Sequence, residues 1–362
     1  MSKLVRKATA HAGRVSALDL DVIEIFGFGP MGAAVGAFRN GDGDLELGKW
    51  IVTADGASVS RASIAGASGV SEVAATVVHS HVVTAVKNGS GQLEVIAWTH
   101  ELVRVGSATN ENASHIAICA FRHENEADKF ATGHRDLKGN LKLDVWSLSE
   151  SGAPAWRSGT SAGAASELTL AFLGSGTGLR YRFISAIRNR SGDLELIQWS
   201  VSSDGATVQR LGSITAGKAS QISLCTLGDL IFTSFRDDAS SLQVITWRAR
   251  SNGTIERLDS ARAGNVEDVA SALSFDASGA QFLTTATRNG SNEVELIDWQ
   301  VHQSGVLQRT SSAFVGVASL ARIRSAWNSR NPGAVNPAPH TVLVAALRNS
   351  SSALELVCFT RE

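Results

Sequence analysis

The sequence predicts an all-β chain, a seven-bladed β-propeller of four-stranded antiparallel blades with the last blade closed by the N-terminal strand. Three observations carry that prediction. First, the stretch RNRSGDLELIQW, Arg188 to Trp199, returns along the whole chain, with further copies opening at Arg39, Lys87, Arg135, Arg236, Arg288 and Arg348. The seven starts lie 48 to 60 residues apart, and the last copy ends in Phe359 instead of Trp. A period in that range built from short strands points to propeller blades and away from a helical solenoid. Second, glycines number 34 against five prolines, as many tight hairpins require, and no long helical pattern occurs. Third, the two ends of the sequence fit each other. LVRKATAHAGRVS, from Leu4, matches VQRLGSITAGKAS, from Val208, whereas the chain closes on a third-strand pattern, Leu354 to Phe359. Residues 4–10 are therefore expected to complete the blade that ends at 362, leaving no open sheet edge. Residues 1–362 read as one domain.

Around the fourth copy the strands are most distinct. Arg182 to Asn189 reads as a second strand, B, Leu194 to Val201 as C, and Thr207 to Ser213 as the outer strand, D. Ser220 to Leu227, a mixture of small and apolar residues, suits the crowded innermost strand, A, of the following blade. The B–C turn NRSGD and the C–D turn SDG carry the Gly, Asn and Asp that tolerate positive φ. Strand C is apolar on both faces, as a strand packed between two neighbouring blades should be. The links between A and B are short at His79 and Gly228 and longer from Arg122 and Gly174. The longest runs from Asn328 through Pro332, Pro337 and Pro339.

Three residue columns recur. Trp50, Trp98, Trp146, Trp199, Trp247 and Trp299 close six of the copies. An indole between blades supplies buried area and an N–H that needs a partner; an exposed one could stack on the apolar face of a sugar. Four residues earlier stands Glu46, Glu94, Glu195, Glu295 or Glu355, on the same face of the strand by its period of two. Each copy opens with a basic residue followed by Asn, in Arg39–Asn40, Lys87–Asn88, Arg188–Asn189, Arg288–Asn289 and Arg348–Asn349, or by Asp, in Arg135–Asp136 and Arg236–Asp237. That basic residue is expected to pair with the Glu across the B–C turn. Blade 3, with Lys142, and blade 5, with Gln243, lack the acid, which leaves ligand binding as the second use of the column. A third column, Arg6, Arg61, Arg104, Arg157, Arg210, Arg257 and Arg309, is expected to lie opposite the Trp and stack on it as a cation–π pair.

Formal net charge is −1 with both signs interspersed, which lacks the basic footprint of a nucleic-acid binder. No apolar run is long enough for a membrane span, and the start, MSKLVRKATAHAGR, has no apolar core of a secretory signal. The expectation is a protein cytoplasmic as synthesised, or released without such a signal. Cys119, Cys225 and Cys358 are too few and too widely spaced for a disulfide framework and read as reduced thiols. Phosphate loops, nucleophile elbows and zinc helices are missing, so the sequence is read as non-enzymatic and without a cofactor. One cluster stands apart. Glu72, His115 and Glu167 follow aligned serines at the start of strand A and would line one mouth of the central channel, where they could hold a divalent metal.

The pattern RNGSG-LELI-W followed by DG-T-QRLGS-TAG-AS resembles the bacterial seven-bladed propeller lectins of the Photorhabdus type, over essentially the whole chain. That resemblance implies fucose- or galactose-type sugar binding at several sites around the ring, no cofactor, and a homo-oligomer. The expected function is a multivalent carbohydrate-binding protein with glycans as partners, and without nucleic-acid or membrane-spanning roles. Its candidate contacts, chosen for their chemistry, are the Arg or Lys, Asn, Glu and Trp of blades 1, 2, 4 and 6, and Arg348, Asn349 and Glu355 of blade 7. The rivals are a metal-dependent lyase or hydrolase at the channel mouth and a protein-interaction scaffold using the link after Asn328.

Overall fold

Each B–C hairpin is built the same way, and that hairpin sets the ring. The computed structural model describes residues 4–23, 31–53, 55–121, 128–175, 180–276, 278–326 and 342–361. In all seven copies the Asn or Asp side-chain oxygen accepts two backbone N–H groups of its own turn; for Asn189 these are Ser191 and Asp193, at 2.9 and 3.0 Å. The residue three positions after it adopts positive φ in every copy, namely Gly43, Gly91, Gly139, Gly192, Ser240, Asn292 and Ser352. Its carbonyl then accepts the N–H of the residue that begins strand A of the next blade, as Ala219 donates to Gly192 at 3.0 Å and Val15 to Ser352 at 2.8 Å. Turn chemistry thus fixes both the hairpin and its neighbour's position.

The described strands form seven antiparallel four-stranded sheets with the expected A-to-D order. Blade 4 is representative. The second half of Pro154–Ser175 is its strand A, followed by Arg180–Asn189, Asp193–Ser202 and Val208–Lys218. Three strands, Leu4–Ile23, Pro154–Ser175 and Leu307–Ala326, run unbroken from D of one blade into A of the next. Leu4–Ile23 pairs with Ala353–Arg361 as far as Arg14 and with Met31–Asn40 from Val15 onward, so it serves blades 7 and 1. All described regular structure is strand, and no described helix is long and apolar enough to cross a membrane.

The core lies between blades rather than within them. One apolar cluster sits at each of the seven boundaries, and the closing aromatic of each blade packs against the preceding blade. Trp199, for example, shares its cluster with Leu141, Leu143 and Val145 of blade 3. The long links from Arg122, Gly174 and Asn328 fall wholly or largely outside the described residues, including Pro332, Pro337 and Pro339.

Candidate functional site

Two of the four columns chosen as ligand contacts are occupied by the framework. Trp50, Trp98, Trp146, Trp199, Trp247 and Trp299 are at most 2% exposed. Five of these indoles donate Nε1–H to a hydroxyl on strand B fourteen residues earlier: Thr84, Thr132, Ser185, Thr233 or Thr285, at 2.9–3.1 Å. In blade 1 that position is Gly36; the Trp50 ring lies against it and Trp50 Nε1 has no partner. In blade 7 Ala345 accompanies Phe359, which has no N–H to satisfy. Covariation with this hydroxyl was a sequence signal for burial. The stacking role expected for the Trp column is therefore corrected, because a ligand cannot reach a face already packed against the neighbouring blade. Asn40, Asn88, Asn189, Asn289 and Asn349 likewise have their carboxamide oxygens committed to the turns.

The acid column finds a different partner from the one expected. Register places Arg210 opposite Trp199, and Arg61, Arg104, Arg257, Arg309 and Arg6 opposite their own aromatics. The paired guanidiniums turn to the carboxylate four residues along strand C on the same face instead of stacking on the buried indole. Arg104 meets Glu94 at 3.1 Å, Arg210 meets Glu195 at 3.0 Å, Arg6 meets Glu355 at 2.9 Å and Arg309 meets Glu295 at 3.4 Å. Ser107, Ser213 and Thr9 accept from the same Arg in three of these sets. These Arg side chains are 43–47% exposed, so each set presents donors and acceptors to solvent. The described cation–π contact is elsewhere, Arg361 over Phe282 at 4.4 Å.

In five copies the opening basic residue serves the channel rim or the turn. Arg39 donates to Val70 O at 2.7 Å and to Ser16. Arg288 bonds Glu267 and Asn292, Arg188 reaches Glu167 at 3.5 Å, and Arg236 and Arg348 bond Ser240 and Ser352 in their turns. In blade 3 the alignment by sequence slips by one. Its C–D turn closes one residue sooner than that of blade 4, Ser149 N–H bonding Ala153 O where Ser202 N–H bonds Thr207 O, so Trp156 lies opposite Trp146 and Arg157, on the bulge that follows, bonds Ser147 at 2.7 Å.

The seven A strands enclose a channel of about 480 Å³. Glu72, His115 and Glu167 line it, together with Asp19, Arg322 and Arg324. Both glutamates bridge to the next blade: Ile116 N–H donates to Glu72 at 3.3 Å and Gln221 N–H to Glu167 at 2.6 Å. Among the described residues no group of three His, Cys, Asp or Glu side chains is disposed to hold a metal. The three cysteines are thiols rather than disulfides; burial pushes the Cys358 thiol up to about 12 and raises that of Cys225.

No known protein family matches this sequence, and no curated protein matches it. Solved structures do. The periplasmic gluconolactonase PpgL of Pseudomonas aeruginosa aligns at TM-score 0.57 and 14% identity, over 87% of this chain and 94% of that one. A Bacteroides uniformis protein assigned as a 6-phosphogluconolactonase aligns at 0.55 and 16%, over 79% and 85%. The SapL1 lectin, solved with α-methyl fucoside, aligns at 0.48 and 13%, over 77% and 92%. The fold is a β-propeller. These matches also overturn the expectation of a non-enzymatic protein. Proteins described as lactonases are built on this fold, so the missing sequence motifs do not argue against catalysis. The resemblance to lectins of the Photorhabdus type has no counterpart among families or curated relatives.

Proposed function

We propose that this chain is a multivalent carbohydrate-binding protein whose sites are the repeated Arg–Glu sets of strands C and D, acting within one domain spanning 1–362. The carrying observation is that the half-exposed ion pair recurs at the same register in blades 2, 4, 6 and 7 although folding does not require it. Blade 3, with Lys142 and Trp156, and blade 5, with Gln243, keep the same strands and buried Trp without it. A guanidinium and a carboxylate side by side can donate to and accept from adjacent sugar hydroxyls. Of the chosen contacts this reading keeps Glu94, Glu195, Glu295 and Glu355 and replaces the opening basic residues by Arg104, Arg210, Arg309 and Arg6. Several weak sites on one rigid ring raise avidity on glycan surfaces without new contacts. The resemblance to propeller lectins favours fucose- or galactose-type sugars and a homo-oligomer.

A glycan array competed with free L-fucose and D-galactose tests the reading, and Arg210→Ala with Glu195→Ala should weaken the signal. Array binding untouched by monosaccharide, or no binding at all, would reject it.

A second reading, a hydrolase acting in the channel, is favoured by the cavity of about 480 Å³ with His115, Asp19 and Arg322 along its wall. Hydrolysis of a sugar lactone, lost in His115→Ala, is its test.

A further inference from the structure

Because the chain repeats itself, six blade boundaries supply the expected residue for the seventh. At the boundary of blades 2 and 3 seven positions depart from the repeat, and they converge in space. Asn110 stands where the other blades have Ala12, Ala67, Ala162, Ala216, Ala263 and Val315. Glu111 replaces Gly or Ser, and His134 replaces Phe38, Val86, Ile187, Phe235, Thr287 and Leu347. Asp144 takes the place of a buried Ile, Val or Gly. Trp156 occupies the Arg position, Lys142 the Glu position and Gly159 the hydroxyl position of the repeated set.

These residues form a connected polar group. Trp156 donates Nε1–H to Asp144 Oδ1 at 2.9 Å, and Asn110 donates to Asp144 Oδ2 at 3.0 Å. The His134 ring lies between two carboxylates, 3.6 Å from Asp144 and 3.6 Å from Glu111, and Lys142 is 3.4 Å from Glu111. A Cβ at Gly159 would overlap the Asp144 carboxylate, so that glycine belongs to the arrangement. His134 is fully buried and neither ring nitrogen has a hydrogen-bond partner. Burying an imidazole without a hydrogen bond, where the other blades have a mostly apolar residue, is costly to folding, and a repeat framework has no structural need for it. Burial holds His134 toward its neutral form and raises the Asp144 carboxyl.

We propose that this boundary is a second kind of site, present once, which takes a single pyranose ring stacked on Trp156. Trp156 is 53% exposed, whereas the column indoles are buried, and its N–H is anchored so that a face is held toward solvent. The surrounding charges are largely met, Glu111 by Lys142 and Asp144 by two neutral donors, so the group does not call for a strongly ionic ligand. An indole face anchored to a polar group that carries a half-exposed carboxylate and an ammonium suits a ring with one C–H face and a hydroxyl edge. This site does not depend on the repeated Arg–Glu sets.

The test is a tryptophan-fluorescence titration of the full chain with the methyl glycosides of L-fucose, D-galactose, D-glucose and D-mannose. A saturable emission change with at least one glycoside is expected, and it should be absent in Trp156→Ala. The double variant Asn110→Ala/Glu111→Gly restores residues with which other boundaries fold, and should bind about tenfold more weakly or worse. The inference is overturned by a change that survives Trp156→Ala, by a double variant that binds like the parent, or by silence with all four glycosides. Array binding weakened in Arg210→Ala/Glu195→Ala but intact in Trp156→Ala would reject this site and keep the repeated ones. The reverse pattern would keep this site alone.

Discussion

Blades 3 and 4 share a backbone plan and differ in chemistry. Both bury a Trp bonded to a strand-B hydroxyl, and both use the same B–C turn. Blade 4 then sets Arg210 against Glu195 at the surface, whereas blade 3 sets Trp156 against Asp144 and places a histidine where blade 4 has Ile187. The difference separates what builds a blade from what a blade can carry. Residues shared by the two are framework; those that differ are free to serve a ligand.

The largest expected effect should therefore be equal in the two blades. Trp146→Ala and Trp199→Ala should each cost about 3–5 kcal/mol, read as a fall in denaturation midpoint. A much smaller cost in blade 3 would mean that its Trp is not framework. Next come the turns. Gly192→Ala, at φ +79°, and Gly139→Ala, at φ +83°, should each cost about 1–2 kcal/mol, because a side chain is strained there. Asn189→Ala leaves two N–H groups without their acceptor and should cost about 1 kcal/mol in the same assay.

Acid should then separate the two buried groups of blade 3 by sign. His134 has its pKa lowered by burial from an ordinary value near 6.5, so its stabilising contribution is present above that value and is lost as pH falls through it. Asp144, raised chiefly by burial, contributes stability at low pH that is lost as pH rises through its folded value. The two oppose each other. In Asp144→Asn, melting temperature should fall between pH 7.5 and 5.5 more steeply than in the parent; in His134→Ile it should fall less or rise. Matching profiles for both variants would break the contrast. The smallest stability effect belongs to Arg210→Ala, below about 1 kcal/mol for a half-exposed pair, and this change should act on sugar binding instead.

Much of this contrast was legible in the sequence, and the reasons for the rest are physical. The repeat, the turn residues and the Trp-to-Arg register could be read directly, because alternation and hairpin length fix them. The partner of each Glu could not. Two basic columns lie near it, and which one turns to it depends on side-chain direction. Arg157 takes the Arg position by sequence, but the C–D turn of blade 3 closes one residue sooner than that of blade 4, which puts Trp156 there. The boundary cluster was harder, since Asn110, His134, Asp144 and Trp156 come from four strands of two blades. Each looks unremarkable alone, and only their departures from the same columns, once superposed in space, make them a group.

The strand that serves blades 7 and 1 also bears on how the ring assembles. Leu4 lies opposite Arg361, so blade 7 acquires its outer strand only when segments from the two ends of the sequence meet. Six blades can form from neighbouring segments, but closure needs a contact between nearly the most distant residues, which places it late and makes folding slow. The same adjacency means that a short peptide joining the ends, with the chain reopened at a C–D turn such as Asp204–Gly205, would preserve every strand pairing. The ring has a seam, and where it lies is a matter of connectivity rather than of packing.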